Sequence, residues 1–246
     1  THNRFSGGNS LILFSAKSGI GTSLVIVKNN VIWNRDIAAD ECALVVEGDF
    51  EPGTFVRALV ANNTVAMNNG AGVCYSDVDI ADFYNNIFFL NSIVDLRGSG
   101  VGPNLYYNQI GLRTTPAPLL NFGSSTANPL FNNALGGDLR LQAASPAVNS
   151  GFNNVPLGIS SVDVAGKVRI VGTAIDRGAH ESLNSGLFVL SVTNVNNSGT
   201  GSLRDAITQA NATPGLNGIL FNIPGAGCPK VIQLTTELPQ ITESLV

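Results

Sequence analysis

Three stretches decide the fold: Val27-Lys28-Asn29-Asn30-Val31-Ile32-Trp33-Asn34, Val60-Ala61-Asn62-Asn63-Thr64-Val65-Ala66-Met67-Asn68 and Phe83-Tyr84-Asn85-Asn86-Ile87-Phe88-Phe89-Leu90-Asn91. Each holds an Asn pair, a short apolar or β-branched run, and a further Asn. The pairs begin 33 and then 23 residues apart. One coil of a β-solenoid with inserts in its loops takes about 20–30 residues. Leu105-Tyr106-Tyr107-Asn108 is a weaker copy, and an earlier one ends at Asn3. Asn suits a corner between strands because it tolerates the left-handed conformation. Stacked corners then form amide ladders that satisfy buried polar groups.

A β-sandwich with Asn-rich turns is the alternative, but its strands should alternate apolar and polar residues. Ile87-Phe88-Phe89-Leu90 is instead continuous, so both faces of that strand are covered or the strand bends. The expected fold is all-β: a right-handed parallel β-helix with one short amphipathic capping helix near residues 202–211.

Composition agrees. Hydrophobic residues make up 44% of the 246-residue chain, and charged residues 12%, about half the usual share. With 27 Gly and Asn above a tenth of the chain, many short strands and tight turns are expected rather than long surface helices. The net charge of -4 is spread out, and no basic block or basic-aromatic stripe points to nucleic acid. No apolar run approaches the roughly 20 residues of a membrane span. The sequence opens at Thr1 without Met or a signal peptide, which leads us to expect a cut or processed start. Cys42, Cys74 and Cys228 match no metal spacing. Cys42 and Cys74 are either small buried hydrophobes or a disulfide between coils lying one or two apart.

After about residue 110 the repeat fades. In its place come Asn128-Pro129-Leu130-Phe131, Gly137-Asp138-Leu139-Arg140-Leu141, Ser145-Pro146-Ala147-Val148-Asn149-Ser150-Gly151, Asp163-Val164-Ala165-Gly166-Lys167-Val168-Arg169 and Ile175-Asp176-Arg177-Gly178-Ala179-His180-Glu181. This order resembles the closing segment of bacterial surface β-helix proteins of the choice-of-anchor type. Asn128, Asn149, Arg177 and His180 depart from that pattern, which weakens metal binding at these positions. The resemblance implies that 118–182 ends a solenoid whose coils occupy 1–117. Asp138 with Arg140, and Asp163 with Arg169, are expected to pair and fix turns, with Asp176 and Arg177 finding partners nearby. The sharper alternative is a Ca²⁺ site on Asp163 or Asp176.

A new start follows Asn184-Ser185-Gly186. Phe188–Thr193 reads as a strand. Ser202-Leu203-Arg204-Asp205 reads as a capping box, with Ser202 as N-cap and Asp205 at the third helical position. Leu203, Ala206, Ile207 and Ala210 share one helical face, and Pro214-Gly215 ends the helix. Ile219–Ile223 and Val231–Leu234 read as further strands. The run resembles the opening of the same class of protein, in which a helix caps the first coil. It implies that 183–246 starts a second module, with further coils expected beyond Val246.

Chemistry is sparse. Asp77, Asp79 and Asp82 form the best candidate cation or glycan site, because Asp77 and Asp79 fall on one face of a strand. Asp36, Asp40 and Glu41 beside Arg35 read as a loop. Trp33, Phe83, Tyr84, Phe88, Phe89, Tyr106 and Tyr107 read as core rather than as a sugar platform. His2 and His180 adjoin no nucleophile motif, and no phosphate loop or zinc motif is present. No catalytic residue, metal or cofactor is assigned. The expected function is a noncatalytic structural or adhesive protein, secreted or at the cell surface. Its partners are neighbouring β-helix modules or identical copies docked head to tail into a filament, with extracellular glycans as further ligands. The alternatives are a polysaccharide lyase or glycosidase, and a glycan-binding module.

Overall fold

The computed structural model describes residues 1–7, 12–15, 21–48, 53–182, 188–213, 217–225 and 229–242. Ser18-Gly19-Ile20, Asn184-Ser185-Gly186, Pro214-Gly215 and Cys228 lie outside the described residues. The chain divides into two compact units, one of Thr1–Ile170 with Ala174–Ser182 and one of Val171–Thr173 with Leu183–Val246.

The first unit holds fifteen short parallel strands that visit three walls in turn. They are β1 (Arg4–Ser6), β2 (Ile12–Ser15), β3 (Gly21–Lys28), β4 (Val31–Trp33), β5 (Cys42–Glu47), β6 (Thr54–Ala61), β7 (Thr64–Ala66), β8 (Ala71–Ser76), β9 (Ile80–Tyr84), β10 (Ile87–Phe89), β11 (Val94–Gly98), β12 (Asn104–Tyr106), β13 (Gln109–Ile110), β14 (Arg113–Thr114) and β15 (Leu120–Phe122). Each strand pairs with the one three places along, giving three five-stranded sheets. The arrangement is compatible with a β-helix-like solenoid. The parallel pairing runs past residue 117, since Leu120–Phe122 pair with Asn104–Tyr106.

Alternate side chains of the strands point inward and build the core. Ile32, Val65, Phe88 and Ile110 come from the first sheet, Leu44, Val46, Val73 and Leu96 from the second, and Val25, Val60, Phe83 and Leu105 from the third. The corners between the third and first sheets carry the Asn pairs. The leading residue sits in the left-handed region at Asn29 (φ 55°), Asn62 (φ 56°) and Asn85 (φ 54°), with His2 and Tyr107 in the equivalent places. The second Asn of each pair points in. Asn3, Asn30, Asn63 and Asn86 each donate through both the backbone N–H and Nδ2 to the Oδ1 of the next Asn, at 2.9–3.2 Å, ending on Asn108. A shorter ladder joins Asn68, Asn91 and the Asp95 carboxylate.

The disulfide alternative for Cys42 and Cys74 holds: they are bonded across neighbouring strands β5 and β8.

The segment read as an end cap lies along the outside of the coils. β16 (Phe131–Asn133) and β17 (Asp138–Leu141) form an antiparallel hairpin. Phe131, Leu139, Leu141, Ala147 and Ala179 pack with Val31, Ala66 and Ile87, which are the outward residues of the first sheet. Val155, Phe152 and Ile159 pack on Leu59, Ala61 and Tyr84, the outer face of the third. The Ile87-Phe88-Phe89-Leu90 run is thereby explained twice over. Both faces of β10 are covered, and Leu90 turns the chain at φ 62°. Gly178 is required where this segment meets the wall, since at φ +88° a Cβ would lie 2.6 Å from Thr64 Oγ1.

In the second unit, β18 (Phe188–Val192) pairs in parallel with β19 (Asn217–Phe221), and α1 (Leu203–Ala212) packs on them. Ser202 caps the helix by accepting from Asp205 N–H, while Asp205 Oδ2 accepts from the Gly201 N–H. Ala206, Ile207 and Ala210 are its buried face. Val231–Leu234, expected as a strand, forms none, although Ile232 packs against the same small core.

Asn63→Ala should cost on the order of 2–4 kcal/mol, because it strips partners from several buried polar groups at once. Exposed Asn154→Ala serves as the control and should change stability by less than about 0.5 kcal/mol. Breaking the Cys42–Cys74 bond should cost roughly 3–4 kcal/mol by releasing a long loop in the unfolded chain. Urea unfolding with and without reductant measures all three, and equal loss in both Asn variants would contradict the ladder's role.

Candidate functional site

The acidic stretch read as the best candidate does not converge. Asp77 and Asp79 lie in the turn between β8 and β9, so they share no strand face, and Asp77 holds the left-handed conformation at φ 56°. Asp79 Oδ2 caps the neighbouring coil by accepting from Val56 N–H at 2.7 Å. Asp82 lies on the outer face of β9, buried, where its Oδ2 accepts from Arg57 Nε and Nη2 at 2.8 and 2.6 Å and its Oδ1 from Asn104 Nδ2 at 2.8 Å. The Asp79 and Asp82 carboxylates each tie neighbouring strands together. Asp36, Asp40 and Glu41 occupy a loop, where Asp36 accepts from Asn69 and Glu41 from Ala38 N–H.

The aromatic residues divide. Phe83 and Phe88 are core and meet edge to face at 6.1 Å. Tyr84, Tyr106 and Phe122 stack in register on the outer face of the third sheet, at 4.3 and 6.0 Å. Phe152 covers this stack beside Tyr84 and Tyr107.

Polar chemistry concentrates instead in the flanking segment. Asp163 accepts from the N–H groups of Ala165, Lys167 and Glu181 at 2.8–2.9 Å, and its Oδ2 lies 3.8 Å from His180 Nδ1. Asp176 accepts from Asn149 and Ser182 N–H, each at 2.7 Å. The expected Asp163–Arg169 pair does not form. Arg169 reaches Glu181 Oε2 at 3.9 Å and donates to the Gly178 carbonyl. This is because backbone donors already fill the Asp163 carboxylate. Arg177 crosses to the last coil and donates to the carbonyls of Asn108, Gly123 and Ser150. Asp138 and Arg140 do pair, at 2.6 and 2.7 Å.

Burial pushes the Asp176 carboxyl up to about 6, against its two amide donors and the Arg169 charge. Burial also opposes the Asp163 charge, but His180 and the backbone N–H groups outweigh it and hold this carboxyl well below the usual range. The Arg140 hydrogen bond brings Asp138 down to about 2. Burial lowers Arg177 to about 10. The oxygens of Asp163 and Asp176 face N–H donors, which do not fit a Ca²⁺ ligand set. Among the described residues, no three His, Cys, Asp or Glu side chains group as one.

Above this network lies a cleft of about 390 Å³, lined by Arg4, Gly136, Gly137, Asp138, Arg140, Ala165, Lys167 and His180. Sequence reading missed it, because its walls come from β1, the β16–β17 turn and the 163–169 turn. Among the described residues, no helix is long and apolar enough to cross a membrane.

Asp176 takes up its proton more readily in the fold than in the unfolded chain. Its stabilising contribution is therefore full below about pH 4 and is lost as the pH rises through about 6, roughly 3 kcal/mol in all. Asp163 acts in the opposite sense: its contribution is present above about pH 4 and is lost on acidification. Asp176→Asn should flatten the stability profile between pH 4 and 7, measured by denaturant unfolding. An unchanged profile would count against this assignment.

No protein-family model matches the chain, and comparison with curated proteins and with solved structures yields no match either.

Proposed function

We propose that the first unit is a stretch of right-handed parallel β-helix serving as a noncatalytic structural or adhesive module outside the cell, and that such modules join end to end. The carrying observation is the far end of the coils. There β13, β14 and β15 are edge strands of their three sheets. Leu112, Leu119 and Phe122 stand more than half exposed around them. A recess of about 190 Å³ beside them reaches Leu105 and Ile110 of the core. Open parallel edges with an exposed apolar rim are the features onto which a further coil adds. A heterologous contact of this kind propagates into a fibre unless it closes on itself. The Cys42–Cys74 disulfide favours an oxidising compartment. The resemblance of residues 128–181 and 192–241 to bacterial surface β-helix proteins points the same way.

Sedimentation and electron microscopy over a range of concentrations test the reading. Assembly should increase with concentration, and Leu119→Glu should suppress it while leaving the unfolding midpoint unchanged. A monomer at every concentration, with both coil ends covered, would overturn end-to-end joining. Product release from a polysaccharide panel would turn the assignment to an enzyme.

A further inference from the structure

The near end of the coils is unlike the far end. Among the described residues, β1, β2 and β3 are the edge strands there, and they cover three, four and eight residues. Edge strands are ordinarily short, bulged or charged, which keeps them from pairing with another chain. β3 is none of these. It runs from Gly21 to Lys28 in unbroken register with β6. Its one charge, Lys28, is turned to the carbonyls of Pro156 and Gly158. Both of its faces are apolar: Val25 and Val27 belong to the core, while Leu24 and Ile26 stand 44% and 40% exposed on the outer wall.

Two surfaces of a second copy compete for this edge, and the far end is the poorer match. Its strands β13, β14 and β15 cover only two, two and three residues, so most of β3 would stay unpaired. Arg113 and Asn121 hold the positions that pair with the inward Leu96 and Leu105. Stacking in register would set them against Ile12 and Val27. No acid is at hand to answer Arg113, since the first Asp or Glu of the sequence is Asp36, and an unpaired charge is costly to bury. The near end of the second copy matches in length and polarity. A two-fold axis through the third wall lays β3 antiparallel on β3 and exchanges the other two walls, so that β1 meets β2. In the register centred on Val25, Thr22 to Lys28 find partners. Leu24 then falls opposite Ile26 of the second copy and Lys28 opposite Thr22, so apolar side chains meet on the outer wall and like charges do not. We propose that two copies of this chain join near end to near end through β3, as a closed two-fold dimer. The contact lies at the opposite end from the far-end joint and stands or falls without it.

Sedimentation equilibrium of the full chain should show a dimer that dissociates on dilution. Leu24→Lys combined with Ile26→Lys changes two exposed sites and sets like charges opposite each other across the axis. The dissociation constant should rise about tenfold or more, with an unchanged unfolding midpoint. Leu119→Glu, at the far end, should leave the dimer intact. A nitroxide on Leu24→Cys reports the arrangement, with the unaltered chain carried through the same labelling as the blank. In the two-fold dimer the labels sit on adjacent strands, their attachment points roughly 7–8 Å apart, and the spectrum should broaden where the dimer forms. Head-to-tail stacking separates them by five strand spacings, about 24 Å, and leaves the spectrum sharp. If the lysine variant does not fold, the label measurement decides. A monomer at every concentration, association indifferent to the lysine variant, a sharp spectrum in the associated state, or loss of the dimer in Leu119→Glu would each overturn the proposal. A dimer that Leu119→Glu leaves unchanged, with no larger assembly, supports it and sinks the far-end joint alone.

Discussion

At every corner between the third and first walls, the chain must turn sharply and leave backbone N–H groups facing inward, where no water reaches. One side-chain amide per coil solves this. The Oδ1 of each inward Asn accepts both the backbone and the side-chain N–H of the coil before it. Its own Nδ2 returns to a carbonyl of that earlier coil, as Asn63 does to Val27 and Asn86 to Val60. Buried amides stay cheap only when fully partnered, so the ladder fixes coil register as firmly as the strand pairing does. The walls, the alternation of inward and outward side chains, and the position of every flanking contact follow from that register.

The flanking segment depends on it directly. Asn85, the left-handed member of its pair, turns its side chain outward to accept from Phe152 N–H and donate to Phe152 O. Thr64 on the first wall accepts from Ala179 N–H, and Lys28 on the third donates to the carbonyls of Pro156 and Gly158. One residue of each Asn pair thus serves the core and the other, in the third copy, serves the cover.

The Asn pairs and the unbroken Ile87–Leu90 run were readable because they are local: a corner needs a residue tolerant of positive φ, and a doubly covered strand needs no polar alternation. The capping of α1 by Ser202 was readable for the same reason. The placement of residues 131–179 was not, since nothing in the motifs tells a lid over an end from a strip along a wall. The aspartates failed differently. Asp77 and Asp79 have the spacing of one strand face, but the chain turns between them, and Asp82 is consumed by Arg57. Asp163 sits near Arg169 in sequence, yet three backbone donors and His180 take its oxygens first. The His180 cleft assembles pieces from Arg4 to His180, a separation that no motif spans.

The amide ladder also has a sense. Every rung donates from the lower-numbered coil to the higher, from Asn3 through Asn108, and the two ladders finish on different acceptors, Ser124 Oγ and the Asp95 carboxylate. The amide dipoles therefore lie head to tail along the stack, and the two ends of the column are chemically unlike. The column thus has a direction written into its side chains.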